Sequence, residues 1–202
     1  TLCMIENHMC MDGGDLKYFL QAFCENYTNY VENGVSPIEF RTGSRAYTDV
    51  YSGFSKMESG VAKRLFKNIN ARDNHKFPLT EDSIRDKSFI ARKKFNEETF
   101  AKLKAKGKEL GATVNEMLLT AYFYSVYELA EFSPSDQVMI SSAIDLRRHM
   151  DSVEDKGFTN HTAWMQCAIP ERGRDIFETV QYVVRSSNRF KKDKYMGLYG
   201  LP

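Results

Sequence analysis

The sequence predicts an α+β fold of layered α/β type, on three observations. Segments 16–31 and 114–132 repeat apolar residues at helical spacing. Segments 138–144 and 163–169 read as short strands. Long polar connections interleave the two kinds of element, which suits helices laid against a mixed sheet.

Residues 2–5 read as the end of a buried strand that delivers Asn7 and His8 into a loop. A helix is expected from Asp15, because Leu16, Phe19, Leu20, Phe23, Cys24, Tyr27, Tyr30 and Val31 recur at i, i+3, i+4 and i+7. Asn33-Gly34 stops it, Pro37 follows, and its aromatics read as core. Residues 35–86 are broken by Gly43, Gly53, Gly60 and Pro78, with helix expected only over 61–71. Phe40, Tyr47, Tyr51 and Phe54 argue for a packed connection there rather than a loose one.

Residues 87–95 read as a strand with 88–91 as its apolar part. Asn96 is placed as an N-cap, with Glu97 and Glu98 suited to the positive helix end and Phe95 and Phe100 at staple positions. The helix that follows carries Lys102, Lys104, Lys106 and Lys108, reads as a solvated surface, and ends at Gly111. Thr113-Val114-Asn115-Glu116 is a capping box, and the segment to about residue 132 is apolar on most sides, as in a buried helix. Residues 133–136 end it. Strand 138–144 leads into Asp145-Leu146-Arg147-Arg148, a polar loop spans 150–160, strand 163–169 follows, and a last helix is expected over 174–195.

Charge and composition exclude several functions. Lys plus Arg total 28 against 27 Asp plus Glu, and a net charge of +1 gives no electrostatic footprint for nucleic acid. Apolar residues at 42% are ample for a core, yet the longest apolar stretch, 117–124, is far too short to span a membrane. Cysteines 3, 10, 24 and 167 lack CxxC spacing and read as reduced, mostly buried thiols of a cytoplasmic protein.

One stretch has the chemistry of a proton-transfer site. Asn7-His8-Met9-Cys10-Met11-Asp12-Gly13 is an HxxxDG motif directly before a helix. An imidazole there can take a proton at neutral pH, while Asp12, Gly13 and Gly14 fix the loop. The plain alternative is a loop histidine before a glycine-opened helix. Metal is not expected: His8, Cys10 and Asp12 are close, but His75, His149 and His161 add no ligand spacing. A Cys-His pair using Cys10 or Cys167 has no local support, and Gly13-Gly14 lacks the Lys-Ser/Thr of a phosphate loop.

Two further groups bear on a site. An aspartate and arginines just after a strand, Asp145 with Arg147 and Arg148, can turn one guanidinium inward towards a carboxylate, or can be surface arginines. Asn160-His161-Thr162-Ala163-Trp164 sets a polar pair before a strand with the only Trp, and can line a cleft or form an ordinary turn.

Together these pieces resemble the CoA-dependent acyltransferase superfamily: chloramphenicol acetyltransferase, nonribosomal peptide synthetase condensation domains and alcohol acetyltransferase-like proteins. Residues 7–13 resemble its HHxxxDG motif, 95–129 resemble the helix pair opening its second lobe, and 140–148 with Asn160 resemble its strand ending in DLRR and the later Asn. The resemblance implies a chloramphenicol acetyltransferase-like two-lobe fold. The chain would be a fragment: 1–34 the end of the first lobe, 35–86 the inter-lobe connection, 87–202 the first part of the second lobe.

It also implies chemistry. His8 would be the general base, and Asp12 would pair with Arg147 as first choice or Arg148 as second. Gly13 would let substrate approach the backbone, and Asn7, Asn160 and Trp164 would line the cleft. No cofactor is bound permanently; acyl-CoA or a phosphopantetheine thioester is the co-substrate, and a small alcohol or amine the acceptor. A condensation domain acting on an acyl or peptidyl carrier protein, met by the basic 83–110 stretch and Arg185, Arg189, Lys191, Lys192 and Lys194, is the alternative. A non-catalytic docking module is another. Asn7 departs from the histidine doublet, at the position that does not carry the chemistry.

Overall fold

A computed structural model describes residues 3–36, 43–65, 90–130, 132–153 and 156–198. Helix and strand are mixed, with five α-helices and a two-stranded sheet among the described residues. The helices are α1 (Gly13–Asn33), α2 (Lys56–Leu65), α3 (Glu97–Glu109), α4 (Val114–Leu129) and α5 (Ile176–Lys192), and the strands are β1 (Val138–Asp145) and β2 (Thr162–Ile169). Leu146 N donates to the carbonyl of His161 at 2.9 Å, so the end of β1 meets the start of β2 and the strands run antiparallel.

The chain divides into two compact units. One comprises Thr1–Ile69, Ala143–Met165 and Gly197–Pro202, the other Asn70–Ser142 and Gln166–Met196. Both draw on separated stretches of chain. The physical reason in the first unit is Arg147, whose guanidinium ties 143–165 to the start of α1.

In the first unit, α1 begins at the N-cap Asp12, whose carboxylate takes the N–H groups of Gly14 and Asp15, and stops at Gly34, where φ is +71°. Phe158 packs its ring on Tyr18 and Phe19 at 5.8 and 6.2 Å. Gly197, at φ +83°, lies where any side chain would collide with Ile144. A 3₁₀ turn at Tyr47–Tyr51 packs against another at Leu146–His149, burying Val50 and Leu146.

In the second unit the core is built by α4, α5 and parts of both strands: Leu119, Phe123, Val126, Tyr127, Val138, Ile140, Cys167, Ile169 and Val183. Burying these apolar side chains supplies the main drive for that unit, at about 1.5–3 kcal/mol for each large one. Thr113 and Glu116 form the reciprocal capping box that starts α4. Buried Glu116 is also met by Lys191 of α5 at 2.6 Å. Burial opposes its ionisation, but Lys191 and the Thr113 N–H outweigh that and hold its carboxyl below the ordinary value.

Several expectations change. The stripe on α1 is core only at its start: Leu16 and Phe19 are half-buried, Leu20, Phe23, Tyr27, Tyr30 and Val31 are exposed, and the fully buried residues of the helix are Asp15 and Ala22. No described element covers that face. Helix α4 buries one side only, with Leu118, Tyr122 and Leu129 exposed.

Residues 90–95 are irregular and exposed rather than a strand, since Arg92, Lys93 and Lys94 leave few side chains for a sheet face. Residues 3–5 are irregular too, with Ile5 exposed and no described strand beside it. The thiols are mostly exposed: Cys3, Cys10 and Cys24 face solvent and only Cys167 is buried. Cys10 sits in an open turn, and Cys24 on the uncovered face of α1. The expectations for Leu2, Pro37, Phe40, Pro78, residues 66–71 and residues 83–89 fall outside the described residues.

Candidate functional site

The site lies wholly in the first unit and is built on the start of α1. Asn7 shapes its loop: the side-chain oxygen accepts the Met9 N–H at 3.0 Å, and the Asn7 carbonyl accepts the Cys10 N–H at 2.8 Å. That tight turn presents His8 outwards. Arg45 holds the next segment, donating to Phe158 O at 2.6 Å and Cys10 O at 3.4 Å.

Beneath the loop is a buried ion cluster. Arg147 Nη1 meets Asp12 Oδ2 at 2.9 Å and Asp145 Oδ1 at 3.1 Å, and Nη2 meets Asp15 Oδ2 at 2.8 Å and the Thr159 carbonyl at 3.1 Å. Asp12 and Asp15 are almost fully buried, at 4% and 2% exposure. One guanidinium cannot neutralise this many carboxylates alone. Peptide N–H groups supply the rest: Gly14 and His161 donate to Asp12, Thr159 to Asp15, and Arg147 to Asp145. The positive end of α1 adds to them. Burial opposes ionisation of Asp12, but Arg147 and the His161 N–H outweigh it, and its carboxyl lies below the ordinary range. The pairing expected of Asp12 is thus made by Arg147, while Arg148 is exposed on the 3₁₀ turn.

Above the cluster opens a cleft of about 470 Å³, a size suited to a small substrate. His8, Asn160, Thr162 and Trp164 line it with Asp12, Gly13, Gly14 and residues 143–145. Asn160 Nδ2 lies 3.1 Å from His8 Nδ1. Trp164, 64% exposed, offers an indole face to a planar or apolar group. Asn7 is not among the lining residues; its side chain closes the turn instead. Gly13 faces open space, whereas a Cβ on Gly14 would come 3.2 Å from Asp12 Oδ1 and 3.4 Å from Arg147 Nη1. The second glycine is therefore the one the ion cluster constrains.

Sequence reasoning missed Asp15, Arg45 and Thr159, and it offered His161 as part of a cleft-lining polar pair rather than as a donor to Asp12. The DxxD spacing of Asp12 and Asp15 carried a signal, since it sets both carboxylates at the first turn of a helix. Cys167 is no partner for chemistry: it sits in the apolar core of the other unit, and burial pushes its thiol up. Among the described residues, no group of three or more His, Cys, Asp or Glu could hold a metal, and no helix is long and apolar enough to cross a membrane. No family model, curated protein or solved structure matches the chain.

His161 is buried, at 2% exposure, and neither ring nitrogen has a hydrogen-bond partner among the described residues. Burial and the nearby Arg147 charge lower its pKa, outweighing the aspartates Asp12, Asp15 and Asp145. As pH falls below about 6.5, the unfolded chain gains a proton at this histidine that the folded chain does not, so stability is lost. Asp12 adds a second loss, beginning only below about pH 4. His161→Leu keeps the peptide N–H that Asp12 accepts and removes the titrating ring. Urea midpoints should then hardly change between pH 7 and pH 5, while the parent weakens. An equal decline in both proteins would count against His161 as the source.

Proposed function

We propose that this chain is an acyltransferase that moves an acyl group from a CoA or phosphopantetheine thioester to a hydroxyl or amine, with His8 as general base. What carries the reading is His8 standing in a cleft that Asp12 also lines, with the Asp12 carboxylate held by Arg147. The resemblance of residues 7–13, 95–129 and 140–148 with Asn160 to the CoA-dependent acyltransferases supports it, and that resemblance implies a chloramphenicol acetyltransferase-like two-lobe fold. The mixture of helix and strand is compatible with that fold.

In the proposed reaction the acceptor O–H or N–H gives its proton to the imidazole as the oxygen or nitrogen bonds to the thioester carbon. The C–S bond breaks, and the imidazolium returns the proton to the leaving thiolate. The products are the ester or amide and a free thiol, with His8 restored. General base catalysis of this kind contributes about 10²–10⁴-fold. Asp12 does not take part in the transfer; it holds the loop.

Acetyl-CoA with a panel of alcohols and amines tests the reading, followed by release of free thiol. Acceptor-dependent release is the expected result. A folded chain inert with both CoA thioesters and a loaded carrier protein would refute it and favour a docking module.

A carrier-bound donor is the second reading, favoured by the distribution of lysines on α3. Lys102 and Lys106 are paired with Glu98 and Glu109. Lys104 and Lys108, one helical turn apart, line a separate open groove of about 760 Å³ in the second unit, with no carboxylate partner among the described residues. An acidic carrier would meet these charges. Changing both to Glu should then slow turnover of a carrier-bound thioester by about tenfold or more through like-charge repulsion. Equal turnover of the carrier substrate by the variant would remove the second reading.

A further inference from the structure

Asn160 touches His8, and its own hydrogen bonds settle which way its amide points. The Thr162 peptide N–H can only donate, and it lies 2.9 Å from Asn160 Oδ1. The carboxamide oxygen is therefore committed to the start of β2, and the Nδ2 amino group faces His8 Nδ1 at 3.1 Å. That amino group also can only donate. A neutral imidazole has one donor and one acceptor nitrogen, so the atom facing Asn160 must be the acceptor.

We infer that Asn160 is a positioning residue that fixes His8 as the Nε2–H tautomer and thereby makes Nδ1 its proton-accepting atom. Three fixed elements produce the arrangement: the turn closed by Asn7, the Thr162 N–H at the head of β2, and the Asp12 carboxylate that accepts from the intervening His161 N–H at 2.8 Å. The last of these sets the backbone between Asn160 and Thr162, so the Asp12–Arg147 pair supports the amide as well as the histidine loop.

The consequence for catalysis rests on the proposed acyl transfer. The Asn160 amino group occupies the place that an acceptor O–H or N–H must take, and it makes a hydrogen bond of the same polarity. Acceptor binding replaces one donor to Nδ1 by another without a change of tautomer. The side chain that selects the basic nitrogen in the free protein is the one the acceptor displaces.

The test reads the ring nitrogens directly and needs no substrate. In ¹⁵N-labelled full chain, at a pH where the ring is neutral, two-bond proton–nitrogen correlations distinguish a bare nitrogen from a protonated one. The parent is expected to show a bare Nδ1 and a protonated Nε2. Free imidazole populates both tautomers, so the variants carry the decision. Asn160→Asp presents only acceptors and should move the proton to Nδ1, reversing the two shifts. Asn160→Ala should bring them towards each other as the tautomers mix.

The buried ring of His161 serves as an internal check, since its signals should stay in place while the fold is intact. Should the Asp variant not fold, the Ala variant decides. A protonated Nδ1 in the parent, or His8 nitrogen shifts identical in parent and the folded variants, would overturn the inference. An inactive chain still reports its tautomer, and an active chain with an unmoved tautomer defeats only this inference, so the two failures are separable.

Discussion

Arg147→Met is expected to lower the stability of the first unit by about 3–5 kcal/mol, because it strands Asp12 and Asp15 as buried charges without their cation. Domains of this kind have only about 5–15 kcal/mol in hand, so one substitution takes the unit to the edge of unfolding. Asp12→Asn should cost less. An asparagine still caps α1 through the Gly14 N–H, and Arg147 keeps Asp15 and Asp145. Combining the two changes should then cost less than their sum, since they remove the same contact. Urea titration of the four proteins measures the cycle. An Arg147→Met variant as stable as the parent would show that the ion cluster does not hold the unit together.

The cluster also explains which parts of the molecule the sequence could disclose. Local signals were legible where one short stretch decides the outcome. Asn96 takes the Thr99 N–H, Thr113 and Glu116 close their box, and Gly34 ends α1 in the left-handed conformation. The strands and α5 lie where the apolar pattern put them, with ends moved by a few residues.

Patterns that depend on what lies opposite were not legible. The stripe of α1 satisfies the helical period, yet burial needs a neighbour, and periodicity names none. Residues 90–95 failed as a strand for the related reason that their apolar content cannot cover a sheet face.

The candidate site divides in the same way. The motif at residues 7–13 was visible because His8, Asp12 and Gly13 are neighbours in sequence. An inward arginine at 147 or 148 could be anticipated because a guanidinium turned inward after a strand needs a carboxylate, and the resemblance put Arg147 first. Thr159 and His161 could not, because they join the cluster chiefly through peptide groups, which every residue has. Asp15 was hidden by its position at the start of an apolar repeat, where a carboxylate reads as helix-end decoration rather than as an ion partner. Gly14 matters more to the backbone than Gly13, and only the approach of Arg147 makes that visible.

The central claim is that His8 takes the proton of the acceptor, and the most direct measurement is the rate of acceptor-dependent thiol release from acetyl-CoA by His8→Ala beside the parent. His8 is exposed on its turn, and its side chain contributes nothing to the Asp12–Arg147 cluster, so the variant should fold and melt as the parent does. Loss of rate would then report chemistry rather than unfolding. A fall of about 10²–10⁴-fold at unchanged melting temperature is the predicted result. Equal rates for variant and parent would contradict the assignment of His8 as the base.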